Sequence, residues 1–484
     1  MLKKLSNNIG AKLKTNLVKN SFWGIFSNIF QNILFSVFFI IVARQYTTED
    51  FAHYIIANTL YATVVGFASL GLGNWFIREL INTDDKNSLI DKFFKIQLYV
   101  GVIFYIVNII MAYTLYDNQL IRNLSLIIGI NVIFDNVIYV IKFINVAHYE
   151  QKKTFVILTV EAVLKFLLAC VLFFYPINIF YLSFFLIALR LITLNLFIKF
   201  GSSGLINLRH ILTVKVKMTE LKTIIGKNWA FAIIASISVV YWRVGSIIVS
   251  KVIPLGVTDY EISFKFFSLA EILPVIVSSS LYPLLLNAYK KSAADMSQVY
   301  KRAFIAYALF GLLAFTFMYS FSDLLVPLLF GEKYAGTAIY CKEMFLTILV
   351  FPTALLQANV MITLKLENLD MIGNVGSLVI NLLLCFILFQ FYHTLSVVNY
   401  AIFFSFLAFH IMQDVVLVRR KMTNIGHVLL FYIASAAIVV SYYYLSEIMN
   451  PYWLFFTFWP VTGLLCWAIF AKYFKNGFGL SPAE

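Results

Sequence analysis

About fourteen stretches of 18 or more mostly apolar residues follow one another along this chain, and each is long enough to cross a bilayer as a helix. They run approximately Phe22 to Arg44, Phe51 to Gly73, Phe93 to Leu115, Leu120 to Ile144, Thr154 to Phe174, Ile177 to Ile198, Thr223 to Val252, Tyr260 to Ala288, Ala303 to Leu325, Thr337 to Leu364, Met371 to Phe391, Leu395 to Val418, Val428 to Leu445 and Trp453 to Phe474. In hydrocarbon no water satisfies backbone N–H and C=O groups, so a chain built this way folds as helices that bond internally. With 61% hydrophobic and 12% charged residues, a soluble domain is excluded. The expected fold class is an all-α polytopic membrane protein, and the division of Val428 to Phe474 is its softest boundary because Pro451 and Pro460 interrupt it.

The net charge of +14 is mostly topological. Counted over alternate connections, about 28 of the 37 Lys and Arg residues fall on one side: the N-terminus, Arg78 to Lys95, Lys142 to Lys153, Lys199 to Lys227, Lys290 to Arg302, Lys365, Arg419 to Lys421 and the C-terminus. Arg44, Arg122, Lys251 and Lys333 make up the opposite set. This asymmetry predicts cytoplasmic N- and C-termini, and the positive charge implies no nucleic-acid partner. The first twenty residues are polar and basic with no cleavage pattern, so no secretory signal is expected. Leu2, Leu5, Ile9, Leu13 and Leu17 recur at near-helical spacing, which fits either an interfacial helix on anionic lipid or a basic tail.

Several chemistries find no support. There is no phosphate-binding loop and no soluble segment long enough for a nucleotide-binding domain, so transport would draw on existing gradients. The outward loops around Pro254 to Asp259 and Pro327 to Gly336 are short, which disfavours a glycosyl ligase or polymerase. Six scattered histidines offer no metal pair, and Cys170, Cys341, Cys385 and Cys466 read as small apolar residues. No cofactor, metal or catalytic residue is expected.

The basic segment between Lys199 and Lys227 divides the chain. The expected organisation is a basic N-terminus (1–20), an N-lobe (21–200), a linker (201–222), a C-lobe (223–420) and two added helices (421–484). Weak internal similarity sets "FIIVARQYTTEDFAHYIIAN" beside "SIIVSKVIPLGVTDYEISFK", and "EAVLKFLLACVLFF" beside "SLVINLLLCFILF", as in parallel repeats.

Ionisable side chains inside the membrane cost about 3 kcal/mol each on insertion scales, so each needs a partner or a wet cavity. Here they are Asp135, Glu161, Lys165, Arg190, Arg243, Lys265, Glu271, Lys342 and Glu343. Arg243 lies about 15 Å inside the end of its stretch and Lys265 about 10 Å below the same surface on the next, so the two can line one chamber. Glu161 and Lys165, four apart, share a helix face and either pair with each other or line the cavity. Arg190 either lines a cavity or pairs with Asp135. Glu261 is placed at the membrane edge, Lys342 and Glu343 at an interface, and Asp414 near a solvated helix end. A midplane rich in Arg and Lys suits an anionic headgroup, and phosphate or pyrophosphate is the common partner of a guanidinium fork.

The segment "VYWRVGSIIVSKVIPLGVTDYEISFKFFSLAEILPVIVSSSLYPLL", with "ARQYTTEDFAHY", "GLGNWFIREL" and "LLFGEKYAGTA", resembles the polysaccharide-transport (O-antigen flippase) proteins of the multidrug, oligosaccharidyl-lipid and polysaccharide exporter superfamily. Arg243, Tyr260, Lys265, Pro274 and Ser280 with Pro283 match that family's pattern. Gly245 stands where an acid is usual, Ser268 where Glu is frequent, and Ala52 and Thr258 where glycines are usual.

The resemblance implies two six-helix lobes around a central cavity plus two C-terminal helices. It further implies translocation of undecaprenyl-pyrophosphate-linked oligosaccharide across the bacterial inner membrane by a transporter that is not an enzyme. Membrane lipids, a polysaccharide polymerase and a chain-length regulator would be its partners. Arg243, Lys265, Arg190 and Lys165 would bind the substrate, while Asp135, Glu161 and Glu271 would act as charge partners or coupling groups. Arg78 would recruit the headgroup, or snorkel beside Glu79, and Tyr241 and Trp242 would stack on sugars or simply pack. A cation-coupled multidrug exporter of the same fold is the alternative, and it calls for a mainly apolar cavity with an isolated acid.

Overall fold

The computed structural model describes residues 29–68, 70–201, 206, 213–214 and 218–477. Among them fourteen helices fall one to one on the apolar stretches: α1 (Ile29–Gln45), α2 (Thr48–Ala68), α3 (Lys86–Leu115), α4 (Gln119–Ala147), α5 (Gln151–Phe174), α6 (Ile179–Gly201), α7 (Met218–Val252), α8 (Gly256–Lys291), α9 (Ala293–Phe330), α10 (Thr337–Thr363), α11 (Glu367–Leu388), α12 (Ser396–Arg419), α13 (Ile425–Ile448) and α14 (Pro451–Gly477). Eleven of them meet the length and hydropathy needed to cross a membrane. The described residues contain no strand. The N-terminal interfacial segment, most of the 201–222 linker and the side chain of Cys466 lie outside the described residues. Cys170 is half-buried and Cys341 and Cys385 are buried, as small apolar residues are.

Helix starts are written in the sequence. Asp85 accepts from the Ser88 amide at 3.2 Å, Asn118 from Leu120 and Ile121 at 2.8 and 3.2 Å, Asn178 from Phe180 at 2.9 Å, and Asn424 from His427 at 2.8 Å. Each satisfies amides that have no carbonyl in the preceding turn. Outward faces stay apolar: Ile425, Leu429, Ile433 and Tyr444 of α13 are all exposed, as lipid-facing positions should be.

The chain divides into two compact units, one formed by residues up to Lys265 with Leu382–Val398, the other by Phe266–Asn381 with Asn399 onward. In the first, α2 packs on α3, α4 and α7. A short helix, Gly73–Asn82, adds Phe76, which stacks on Phe93 at 4.1 Å in a cluster with Leu72, Ile90, Val140 and Ile144. The helix α4 is broken at Ile130, where Gln119–Gly129 ends and Asn131–Ala147 begins. Gly129 is needed there, because a Cβ would collide with the Asn108 amide that donates to the Ser125 carbonyl at 2.9 Å.

In the second unit α9 packs on α10, α13 and α14. Its polar interior differs from the sequence expectation for Asp414. That residue is 3% exposed rather than solvated: Gln357 donates to its Oδ1 at 2.6 Å, Tyr432 to its Oδ2 at 2.8 Å, and His410 Nδ1 lies 3.1 Å away. The helix runs to Arg419, which leaves Asp414 more than a turn inside the packed region. Lys342 pairs with Asp323 at 2.7 Å, and Glu343 accepts from Asn399 at 3.1 Å.

Candidate functional site

A cavity of about 470 Å³ opens within the first unit. From α1 come Gln31, Phe35, Phe38, Phe39 and Val42, whose spacing is that of one helix face. Helix α2 supplies Tyr54, Asn58, Thr59 and Tyr61, and α4 supplies Asn131 and Lys142. Glu161 and Lys165 of α5, Arg190 of α6, and Glu261 and Lys265 of α8 complete the charged lining.

Four of the charges here form a single network. The Arg190 guanidinium donates through Nε to Asp135 Oδ1 at 2.8 Å, with Nη2 on the same oxygen, and through Nη1 to Glu161 Oε2 at 2.6 Å. Lys165 Nζ bonds the other Glu161 oxygen at 2.8 Å, and the Tyr61 hydroxyl donates to Asp135 Oδ2. Arg190 thus does both things the sequence allowed, pairing with Asp135 while lining the cavity. Glu161 is shared between two cations, with only 2% of its side chain exposed. Two carboxylates answer two cations, the condition under which buried charge is tolerated.

The α8 edge is arranged differently. Arg243 Nη1 lies 3.5 Å from Glu261 Oε1, and the Ser246 hydroxyl donates to the same oxygen. Glu261 is 8% exposed and lines the cavity, so it is not the water-exposed edge residue its position near the helix start suggested. The carboxylate missing from the Arg243 helix is therefore supplied by its neighbour. Arg243 also lies over the Phe264 ring at 5.6 Å, and Lys265 over Phe39 at 6.0 Å.

Gly245 has a steric reason. A Cβ there would meet the Tyr260 hydroxyl well inside van der Waals contact, Tyr260 Cζ at 2.8 Å and Val398 at 3.1 Å. Tyr260 is fully buried and its hydroxyl has no hydrogen-bond partner. It faces the place an acid would fill.

The remaining expected residues are not part of the cavity lining. Arg243 touches the cavity only through Glu261, and Glu271 belongs to the second unit. Arg78 sits on the short helix, its side chain 63% exposed and 3.8 Å from Glu79. Tyr241 and Trp242 pack edge to face at 5.2 Å, and Trp242 packs against Phe264. Sequence reasoning missed Lys142, counted above with a loop, as well as Tyr61, Asn58 and Asn131. The signal for Lys142 was its spacing: seven residues after Asp135, it shares that residue's helix face.

The fold is shared with several solved structures. An inward-facing multidrug resistance MATE family transporter of the MOP superfamily superposes with TM-score 0.65 at 12% identity, covering 84% of this chain and 95% of that one. The MATE multidrug transporter DinF-BH gives 0.59 at 14% identity, covering 84% and 95%. A MOP superfamily transporter from Pyrococcus furiosus, described as having a binding pocket of reverse polarity, gives 0.56 at 13%, covering 84% and 96%. At such identities the likeness establishes the fold, that of MOP-superfamily transporters. Comparison with curated proteins gives no match. Residues 41–339, more than half of the chain, match the family model described as polysaccharide biosynthesis protein, and the chain belongs to that family.

Proposed function

We propose that the protein is a flippase that carries undecaprenyl-pyrophosphate-linked oligosaccharide across the bacterial inner membrane by alternating access. One observation carries this reading: the cavity holds Lys142, Lys165, Arg190 and Lys265 against two lining carboxylates, and its amides and hydroxyls can meet sugar. Cations at membrane depth need an anionic occupant or fixed counterions, and the diphosphate of a lipid-linked glycan is such an occupant. Membership of a polysaccharide biosynthesis family supports the same substrate class. In this reading Lys265 and Arg190 face the diphosphate, Arg243 holds Glu261 in place, and Lys165 fixes Glu161. The export of cationic drugs is disfavoured because both lining carboxylates are already bonded by protein cations.

The test is translocation of a labelled lipid-linked oligosaccharide by purified protein in proteoliposomes. Wild-type protein should move label to the far leaflet faster than protein-free vesicles, and Lys265→Ala should slow it at least about tenfold, the loss of one charge-assisted contact. Wild-type vesicles indistinguishable from empty ones would refute the reading.

A further inference from the structure

Another concavity of the first unit is a groove of about 440 Å³ between α7 and the end of α11. Its lining falls into rows at the i, i+4 spacing of a helix face. Ile248 and Val252 stand on the α7 side, and Leu382, Phe386 and Gln390 on the α11 side. Cys385 and Phe389, 2% and 8% exposed, make the floor, whereas Phe386 on the rim is 70% exposed. The groove therefore runs along both helices and opens sideways. From Leu382 to Gln390 it measures about 12 Å at 1.5 Å per residue, most of the roughly 15 Å that one leaflet contributes to the hydrocarbon core. Gln390 stands just past the end of α11, and the exposed Phe391 and Tyr392 follow it, as aromatic residues do at the membrane–water boundary. The opposite end of α11 starts beside the basic Lys365, so by the charge asymmetry the groove faces the outer leaflet.

We propose that this groove is a binding site for one acyl chain of an outer-leaflet phospholipid, whose headgroup lies at the Gln390 end. The site stands whatever the charged cavity carries. Three observations identify the occupant. Among the described residues no charged side chain lines the groove, so it holds a chain and not a phosphate. Water finds little to bond there, since Gln390 is at the mouth and its amide already donates to the Phe386 carbonyl at 3.4 Å. The α11 rim is continuous with the exposed Leu383 and Ile387, so a chain enters sideways from the surrounding lipid. Left empty, the floor would lose its dispersion contacts on one side. A groove that reads only chain shape fills with the most abundant chain of the leaflet, by mass action a phospholipid's and not a scarce isoprenoid's. A seated chain bridges α7, which carries Arg243, to the end of α11.

The full-length protein is reconstituted in phosphatidylethanolamine and phosphatidylglycerol vesicles with a trace of phosphatidylethanolamine that carries a diazirine midway along one acyl chain. After irradiation, labelled peptides are mapped by mass spectrometry. Helix α13, with Leu429, Leu430 and Ile433 exposed, reports contact with passing lipid. Per mole of peptide, residues 382–390 should take up at least about threefold more label than α13, as a held chain does against an exchanging one. Val252→Trp places an indole in the groove and should cut that label about fivefold or more while α13 keeps its own. If that variant fails to fold, Leu382→Trp fills the groove from the other side with the same expected loss. Undecaprenyl phosphate at about 1 mol% should leave the label in place, because it is outnumbered by phospholipid. Equal labelling of the groove and α13, or undiminished labelling in a folded groove-filling variant, overturns the site. Displacement by the isoprenoid at that level overturns the phospholipid as its occupant.

Discussion

Arg243 Nη1 and Glu261 Oε1 face each other at 3.5 Å across the turn between α7 and α8, and the Ser246 hydroxyl closes on the same carboxylate oxygen. The pair is half-buried, so it should couple the two helices by about 1 kcal/mol. A double-mutant cycle of Arg243→Ala and Glu261→Gln, read by thermal melting in detergent, measures this directly. Additive single changes would show that Ser246 and not Arg243 holds the carboxylate.

Removing a member of the Arg190 network should cost more. Asp135→Ala takes two guanidinium contacts and the Tyr61 acceptor away together, which leaves Arg190 under-paired in a buried setting, for a loss of about 3 kcal/mol or more. Lys165→Ala breaks one contact at a side chain 24% exposed and should cost about 1 kcal/mol. The expected order of melting temperatures, from high to low, is wild type, Lys165→Ala, then Asp135→Ala. A reversed order of the two variants would mean the network is organised around Lys165.

Gly245 and Tyr260 give a prediction of opposite sign. Tyr260→Phe removes a buried hydroxyl with no partner and should raise stability by about 1 kcal/mol. Gly245→Ala should lower the melting temperature, because the new methyl meets that hydroxyl first. In Tyr260→Phe the alanine should be better tolerated, though the ring carbon Cζ and Val398 still crowd it. An equal penalty in both backgrounds would mean that the clash is with the ring carbon or Val398 and not with the hydroxyl.

The second unit offers a control that touches none of the cavity's lining. Asp414 is bonded by Gln357 and Tyr432, so Asp414→Ala takes a buried acceptor from both, which keep only their bonds to Tyr300 and His410, and should cost about 2 kcal/mol or more. A substitution at a solvated helix end would leave the melt within about 0.5 kcal/mol of wild type. The melting curve of this variant decides between the two settings.

All fourteen helices were legible because a run of about 20 apolar residues has few alternatives in lipid. The charged residues were legible as a group, since each stands out against apolar neighbours. Their partners were not. Glu161 lies four residues from Lys165, a local relationship that spacing reveals, whereas its bond to Arg190 crosses to another helix. Glu261 near a helix start and Lys142 and Asp414 near helix ends looked wet because distance along one helix says nothing of what packs beside it. Lys142, inside the stretch Leu120 to Ile144, was counted with the connection that follows because it stands two residues from the stretch's end, whereas α4 runs on to Ala147.

Arg190, Lys165, Asp135 and Glu161 together sum to zero charge. In the electric field of an energised membrane such a group does no net electrical work however far it travels. Each elementary charge in excess, by contrast, exchanges about 2.3 kcal/mol per 100 mV. The network can therefore shift as one body without coupling that shift to the membrane potential.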